Sequence, residues 1–235
     1  MIDNKRLLAL IPARSGSKRL PHKNSLMFGG KPLIAWSIDA GIHSKYVDRV
    51  VVSTDCNVIA SIARQYGADT PFMRPEILST DTASTFDVVH HAIEMLEEEE
   101  DFYDYILLLQ PTSPLRNNKH IDEAVELLIS KSAYGIIGVT EMEHPVEWIN
   151  TLPSDASMED FIPTEHREIR SQDFPMRYRL NGAIYLSRIK NVLSEGSLFL
   201  NKKCYAYIMP RLVSLDIDSD LDFKLAESML DMIEE

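Results

Sequence analysis

Residues 7–24 read LLALIPARSGSKRLPHKN, an apolar run that passes directly into a basic loop. The run from Leu7 to Ile11 is continuously apolar, which is typical of a strand buried on both faces of a sheet. Pro12 ends the run, and small residues such as Gly16 let backbone N–H groups in the following loop approach an anion. The stretch therefore predicts a buried strand whose carboxyl end opens into an anion-binding loop.

The loop concentrates positive charge in a chain that is acidic overall. Within ten residues it carries Arg14, Lys18, Arg19, His22 and Lys23, whereas the whole chain has a formal net charge of −12. Crowded like charges repel one another, and a bound polyanion would relieve that repulsion; a solvated basic turn is the alternative. The loop has neither the GxxxxGK[ST] spacing of a Walker A loop nor the GxGxxG spacing of a dinucleotide-binding turn.

Strands and helices are predicted to alternate through the rest of the chain. Apolar runs predict strands at 49–53, 105–109, 134–140, 181–186 and 204–209. Amphipathic or capped segments predict helices at 33–40, 57–66, 84–96, 120–131, 187–194 and 221–233. The alternation predicts an α/β fold with a mostly parallel sheet and helices on both faces.

In such a fold the polar segments that follow the strands meet at one edge of the sheet, where ligands bind. These segments are residues 14–24, 53–55 and 110–116. Residues 141–179 break the pattern, because they carry four prolines and little periodicity. We interpret 141–179 as an irregular insertion in an α/β domain that is formed by 1–140 and 180–235.

The composition of the chain indicates which binding partners and which cellular location to expect. The chain is 45% hydrophobic, enough for one sizeable core. Its acidic balance argues against a nucleic-acid partner. The apolar run near the N-terminus is too short for a membrane span or a signal sequence, so a cytoplasmic protein without a membrane partner is predicted. Cys56 and Cys204 lack metal-ligand spacing, and reduced thiols are expected there.

The segment IPARSGSKRLPHKN (11–24) resembles the signature of the CMP-N-acylneuraminate cytidylyltransferases, or CMP-sialic acid synthetases, within the sugar nucleotidyltransferase superfamily. The family loop has Gly-Gly-Ser after its arginine, and Ser15 replaces the first of those glycines. The resemblance continues in order through VVVSTD (50–55), RPEILSTDTAST (74–85), LLLQPTSPLR (107–116), RLNGAIYL (179–186) and LDIDSDLDF (215–223).

The resemblance implies a Rossmann-like fold and a specific reaction. CMP would be transferred from CTP to the anomeric hydroxyl of a nonulosonic acid, N-acetylneuraminate or a close relative, with release of pyrophosphate. It also implies a homodimer in which the insertion 141–179 completes the acceptor site. The same chemistry on legionaminate, pseudaminate or the eight-carbon KDO is the nearest alternative. A non-catalytic nucleotide-binding module is an alternative of another class.

The resemblance also assigns residues to the nucleotide. The predicted nucleotide contacts are Ala13, Arg14, Ser17, Lys18, Lys23 and Ser84. Arg14, Lys18 and Lys23 are predicted to act in catalysis as well, because cations that neutralise the departing pyrophosphate lower the barrier to its departure. A helix N-cap is an additional interpretation for Ser84.

Four residues are predicted to bind the acceptor sugar: Gln110, Arg170, Arg179 and Asn181. For Asn181, orienting the loop that carries the predicted metal ligands is the alternative. An amide at Gln110 can both donate to and accept from sugar hydroxyls, and arginine binds a carboxylate through two parallel hydrogen bonds. The spacing of Arg170 and Arg179 is one residue longer than the family pattern. Arg167 and Arg177 therefore remain alternatives for binding the carboxylate.

Asp216 and Asp218 are the predicted metal ligands and complete the predicted catalytic set. At positions i and i+2 of an extended segment, both side chains point the same way and repel unless a cation lies between them. Mg²⁺ suits a site of few carboxylates completed by waters and phosphate oxygens, and Mn²⁺ is the alternative ion. A plain acidic loop is the other interpretation of this pair.

Overall fold

The computed structural model describes residue 2 and residues 4–232, in which strands and helices alternate as predicted. The strands are β1 (Leu7–Pro12), β2 (Met27–Phe28), β3 (Lys31–Pro32), β4 (Arg49–Ser53), β5 (Tyr105–Leu108), β6 (Gly135–Glu141), β7 (Tyr178–Arg188) and β8 (Cys204–Ile208). The helices are α1 (Leu33–Ile42), α2 (Asn57–Gln65), α3 (Thr85–Glu98), α4 (Asn118–Ser130), α5 (Ile189–Glu195) and α6 (Asp220–Ser228).

Six strands form the main sheet in the order β4-β1-β5-β7-β6-β8. β1 is parallel to β4 and β5, and β6 is parallel to β8. β7 runs antiparallel to both of its neighbours, β5 and β6. The prediction of an α/β fold with a mostly parallel sheet is confirmed, with β7 as the antiparallel strand.

The core lies on both faces of this sheet, as the opening apolar run predicts. Leu7, Ala9 and Ile11 belong to one buried cluster, which includes side chains of α1, α2, α4 and α6. Leu8 and Leu10 belong to a second cluster, which includes side chains of α3 and α5. Successive side chains of a strand point to opposite faces, and burying each leucine contributes about 1.5–3 kcal/mol. The strand can alternate between two cores only because both faces are covered by helices.

The predicted C-terminal helix at 221–233 is wrong in its second half. α6 ends at Ser228, and a separate one-turn 3-10 helix follows at Leu230–Met232; residue 233 lies outside the described residues. Leu230 packs closely over Gly29, where an added Cβ would come within 2.2 Å of the Leu230 side chain. The chain turns after α6, and this turn allows Leu230 to pack over Gly29. A straight continuation of α6 need not place Leu230 there.

The predicted insertion is irregular between β6 and β7, with one-turn 3-10 helices at Val146–Trp148, Thr164–His166 and Ser171–Asp173. Its predicted end is two residues too late, since β7 already begins at Tyr178, which pairs with Glu141. In the described part of the chain, no helix has the length and apolar character that a bilayer crossing needs. Cys56 and Cys204 form no disulfide.

Candidate active site

A cavity of about 550 Å³ lies at the carboxyl ends of β1 and β5. Three segments that are far apart in sequence contribute to its wall: the basic loop, residues 110–112, and the aspartate pair at 216 and 218. Seven of the predicted site residues line it: Arg14, Ser17, Lys18, Lys23, Gln110, Asp216 and Asp218. The parallel strands β1 and β5 bring the loop and Gln110 to the same edge of the sheet, and the Ile217 N–H, which donates to the Thr112 carbonyl (2.8 Å), holds the aspartates beside them.

The basic loop is fixed to its surroundings at three points. The Ala13 N–H donates to the carbonyl of Ser53 (2.9 Å), so this one main-chain donor is already paired within the protein. The Asn24 side chain donates to the Arg14 carbonyl (3.0 Å) and joins the two ends of the loop. Ser15 donates to Asp55 through both its backbone N–H (2.8 Å) and its hydroxyl (2.6 Å).

The Ser15–Asp55 contact explains how the loop tolerates a serine where the family has glycine. Burial alone would raise the pKa of Asp55, but the two hydrogen bonds from Ser15 outweigh it and the pKa is lowered. The carboxylate therefore accepts both bonds in its charged form, which strengthens them. The loop is anchored to the end of β4 through this pair.

Acidic side chains partly neutralise the cations of the cavity. Arg14 (2.7 Å) and Lys18 both form ion pairs with Asp81. Lys23 donates to the Ile217 carbonyl (2.6 Å) and lies 3.2 Å from the Asp218 carboxylate. The wall holds four cations (Arg14, Lys18, Arg19 and Lys23) and three carboxylates (Asp81, Asp216 and Asp218). The cavity is locally positive in a chain of net charge −12.

The surroundings of Asp216 favour a cation. Burial among neighbouring groups raises the pKa of Asp216, a hydrogen bond with Thr112 lowers it, and the nearby charge of Asp218 raises it again, with a raised pKa as the net result. A bound divalent cation would remove the repulsion between the two carboxylates. Among the described residues there is no cluster of three or more His, Cys, Asp or Glu that could hold a metal, so this pair alone would need further ligands.

A second cavity of about 270 Å³ adjoins the first and shares Pro12, Arg14, Asp81 and Gln110 with it. Ser84 lines it and also caps α3, since its hydroxyl accepts from the Asp87 N–H (3.0 Å). Arg74 lines it too, although only 6% of Arg74 is exposed. Burial lowers the pKa of Arg74 against the opposing effect of Asp55, and its Nε and Nη2 have no partner among the described residues.

The edge of the first cavity at β7 depends on a bulge in that strand. Gly182 has φ +73°, and an added Cβ there would lie 2.6 Å from Oε1 of Gln110. The Gln110 side chain therefore rests directly against the backbone of Gly182. The register between β6 and β7 shifts at this point, so the bulge turns the strand towards the cavity.

The contacts of Asn181 fit a role in orienting the segment before the aspartate pair and not a contact with the sugar. Asn181 is buried, its Nδ2 donates to Ser214 Oγ (3.1 Å) and to the sulfur of Met209 (3.1 Å), and its Oδ1 accepts from the Ala183 N–H (3.1 Å). An amide with all these partners inside the protein is not available to a sugar. It instead holds the bulge against the segment that leads to Asp216, because an unsatisfied buried amide would be costly.

The four candidate arginines are not brought together. Arg179 donates to the Ser214 carbonyl (3.2 Å) and lowers the pKa of Asp216, so it lies beside the first cavity. Arg167 donates to the Ile162 carbonyl (3.0 Å), and Arg177 pairs with Glu147 (2.9 Å). Arg170 is exposed in the insertion and lines neither cavity.

Residues 8–207 match the family model described as Cytidylyltransferase. The chain belongs to the cytidylyltransferase family. The CMP-N,N'-diacetyllegionaminic acid synthase of Legionella pneumophila is 37% identical to this cytidylyltransferase, with 98% of each chain covered. The N-acylneuraminate cytidylyltransferase of Escherichia coli is 39% identical over 94% of this chain, which spans 51% of that protein. The pseudaminic acid cytidylyltransferase of Campylobacter jejuni is 37% identical, with 94% of each chain covered.

Solved structures confirm the Rossmann-like fold of this cytidylyltransferase. CMP-2-keto-3-deoxy-manno-octonic acid synthetase complexed with CTP superposes with a TM-score of 0.70 at 16% identity, covering 97% of this chain and 99% of that chain. The 4-diphosphocytidyl-2C-methyl-D-erythritol synthase of Anaerococcus prevotii gives a TM-score of 0.66 at 14% identity, with the same coverage.

Two residues of the cytidylyltransferase site were missed by the sequence reasoning. Arg74 begins the matched segment 74–85 and Asp81 lies inside it, yet neither was given a role. The available signal was an arginine next to a proline and an acid just before a helix cap, which are common loop features. Only the fold shows that both side chains face the basic loop.

Proposed function

We propose that this cytidylyltransferase joins the CMP unit of CTP to the anomeric 2-hydroxyl of a nonulosonic acid and releases pyrophosphate. One observation carries the proposal: the basic loop, Gln110 and the aspartate pair line a single cavity of about 550 Å³. Cations for a triphosphate, carboxylates for a metal and an amide for a sugar are thus within reach of one bound nucleotide.

The nucleotide would extend across the two adjoining cavities. In the first, Arg14, Lys18 and Lys23 would exchange their acidic partners for the oxygens of the triphosphate, which carries more charge than a single carboxylate. In the second, the unpaired Nε and Nη2 donors of Arg74 are suited to the acceptor atoms of a pyrimidine base. The Ser84 hydroxyl donates to the Asp87 carboxylate (2.6 Å) and would have to exchange that partner to reach the base. Binding would thereby satisfy buried donors that the empty protein leaves unpaired.

Asp216 and Asp218 are the proposed ligands of a divalent cation, Mg²⁺ or Mn²⁺. Their mutual repulsion and their place in the same cavity wall as the cations fit that role. Two carboxylates leave positions that phosphate oxygens and waters would complete, as Mg²⁺ prefers. When bound, the ion would neutralise charge on the triphosphate and help to hold it in place.

The chemical step is an in-line displacement at the α-phosphorus. The 2-hydroxyl oxygen forms the new P–O bond while the bond to the bridging oxygen of the β-phosphate breaks, and the hydroxyl proton leaves to solvent. The protein residues supply charge and alignment. The ammonium of Lys23, a residue of the basic loop, lies beside Asp218. It can therefore neutralise charge as this develops on the phosphoryl oxygens.

Gln110 and Arg179 are the proposed acceptor contacts. Gln110 separates the two cavities, and Arg179 supplies a cation on the β7 side for the carboxylate of a sugar acid. If Arg170, Arg167 or Arg177 binds the carboxylate instead, it would have to reach the sugar from the insertion. The relatives support this acceptor class, because proteins named for a legionaminic, a neuraminic and a pseudaminic acid are 37%, 39% and 37% identical.

A panel of acceptors tests the proposal. The protein is incubated with CTP, Mg²⁺ and N-acetylneuraminate, legionaminate, pseudaminate or KDO, and pyrophosphate release is measured. We expect turnover with at least one of the three nine-carbon acids and little with KDO. CTP binding without pyrophosphate from any of the acids would instead support a non-catalytic nucleotide-binding module, and turnover with KDO alone would contradict the acceptor class.

We also propose a homodimer formed through the insertion, and the cytoplasm as the location. Several large apolar side chains of the insertion are exposed in the single chain: Val146, Ile149, Leu152, Met158 and Met176. An interface with a second copy of the chain would bury these side chains. No nucleic-acid or membrane partner is proposed.

A further inference from the structure

Arg116 is a buried cation for which the proposed chemistry has no direct use. It is only 1% exposed and ranks first by volume among the fully buried side chains. It forms no ion pair with any acidic side chain of the described residues, and burial lowers its pKa. A buried charge without a counter-ion is costly, so its contacts must contribute something that an apolar residue could not.

The hydrogen bonds of the Arg116 guanidinium reach three elements, one of which ends at the first cavity. Its Nη2 donates to Ser37 Oγ (2.7 Å) and to the Gln110 carbonyl (3.5 Å), and its Nε donates to the Ala183 carbonyl (3.4 Å). The Ser37 hydroxyl in turn donates to the same Gln110 carbonyl (3.4 Å). One planar group therefore connects the end of β5, the bulge of β7 and α1.

These two carbonyls belong to the backbone that forms the acceptor side of the cavity. Gln110 carries the proposed sugar-binding amide, and Ala183 directly follows Gly182, against which that amide rests. A guanidinium presents its donors in a fixed fork, so it can fix the distance between the two carbonyls, whereas a lysine is a flexible single point of charge. The bulge and the end of β5 have few other connections of this kind, apart from the bond from Ser113 Oγ to the Asn181 carbonyl (3.4 Å).

We propose that Arg116 is a positioning residue for the acceptor: by joining the Gln110 and Ala183 carbonyls it holds the Gln110 amide at its place in the cavity wall. The inference rests on the proposed role of Gln110 in acceptor binding. Arg116 lines neither of the two cavities assigned to the nucleotide and touches no substrate itself. Replacing Arg116 should therefore change the KM for the acceptor and leave the KM for CTP nearly unchanged.

The test compares Arg116→Lys and Ser37→Ala with the wild type, using the nonulosonic acid of the panel that turns over fastest. We expect the KM for the acid to rise about tenfold in Arg116→Lys and about threefold in Ser37→Ala, while the KM for CTP changes less than about twofold. A purely structural role would reduce the amount of active enzyme, which lowers kcat and leaves both KM values unchanged. That result would overturn the proposal.

Arg49→Lys is the matched control. Arg49 is also a partly buried arginine in a hydrogen-bonded network, but it pairs with Asp69 and Asp101 at the opposite end of the sheet. It should alter stability without moving the KM for the acid. If Arg116→Lys does not fold, Ser37→Ala decides alone, because it removes the shortest bond of the guanidinium together with the Ser37 bond to the Gln110 carbonyl.

Gln110→Ala separates this inference from the proposed function. If Gln110→Ala raises the KM for the acid but the Arg116 and Ser37 variants do not, only the positioning role is overturned. If Gln110→Ala leaves the KM for the acid unchanged, the assignment of the acceptor side is wrong and the role of Arg116 is overturned with it.

Discussion

At the scale of single residues, we expect a substitution in the aspartate pair to affect turnover strongly and stability little. Burial is the main cause of the raised pKa of Asp216, and the neighbouring charge of Asp218 raises it further, so the two carboxylates repel when both are charged. We expect Asp218→Asn to lower turnover by about a thousandfold, because the proposed cation loses a ligand. The melting temperature of the nucleotide-free variant should stay close to that of the wild type, because the lost repulsion from Asp216 is offset by the lost, largely exposed ion pairs with Lys23 and Arg19. Pyrophosphate release and a thermal melt measure the two effects.

Asp220→Asn is the control for this prediction. Asp220 lies two residues further along the same acidic segment, but it pairs with Lys224 (2.6 Å) and does not line the cavity. Its replacement should leave turnover near that of the wild type. Near-normal turnover in Asp218→Asn would remove the metal assignment.

At the scale of elements, the bulge of β7 is open to a sharp test. Gly182→Ala would place a Cβ 2.6 Å from Oε1 of Gln110 at a residue with φ +73°. We expect a loss of about 1–2 kcal/mol of stability from the backbone strain, together with a rise in the KM for the sugar acid as Gln110 is displaced. Denaturant unfolding and steady-state kinetics give the two values.

Gly196→Ala is the control that adds backbone strain without displacing Gln110. Gly196 caps α5 with φ +63°, and an added Cβ would have nothing within 4 Å. This variant should lose a similar free energy of unfolding, while its steady-state kinetics stay unchanged. If Gly182→Ala also leaves the KM for the acid unchanged, the Gln110 amide does not contact the acceptor.

The elements also show what a sequence can predict here and what it cannot. The run Leu7 to Ile11 predicts β1 to within one residue, because a strand covered on both faces must be apolar throughout. The antiparallel direction of β7 has no such local signature, since direction depends on how the insertion returns the chain to the sheet. The same holds for Asn181: an amide in a matched motif suggests a ligand contact, and only the bulge shows that its partners lie inside the protein.

A network at the opposite end of the sheet predicts a pH dependence of stability. Asp101 accepts from Arg6 (2.6 Å), Arg49 (2.7 Å) and the Tyr103 hydroxyl (2.6 Å). Burial alone would raise the pKa of Asp101, but these bonds outweigh it and the pKa is lowered. The stabilisation is therefore present above the unfolded pKa of about 3.9 and is lost as the pH falls through the folded pKa.

We expect Asp101→Asn to lower the free energy of unfolding at pH 7 by about 1–2 kcal/mol. The difference from the wild type should shrink below about pH 4, because the wild-type carboxylate is protonated there in the unfolded chain, and it should vanish only below the lower folded pKa. Urea unfolding from pH 3 to pH 7 measures this, with the exposed Glu98→Gln as the control. A difference that stays constant over this range would show that charge on Asp101 is not its cause.

At the scale of the whole molecule, the exposed apolar side chains of the insertion predict a second copy of the chain. Ile149 is 60% exposed and Met158 and Met176 are each 62% exposed, and an interface with a second copy would bury them. Light scattering should give a mass of about twice the 26.8 kDa of one chain. Ile149→Asp should shift the equilibrium towards the single chain, because a charge buried without a partner in an apolar interface is costly.

Val58→Asp controls for the added charge, because Val58 is similarly exposed (63%) but lies on α2, outside the insertion. It should leave the mass at that of the dimer. Since the resemblance implies that the insertion completes the acceptor site, Ile149→Asp should lose turnover more strongly at low protein concentration and recover part of it as the concentration rises. A wild-type protein that remains a single chain at every concentration, yet turns over fully, would show that one chain forms the whole site.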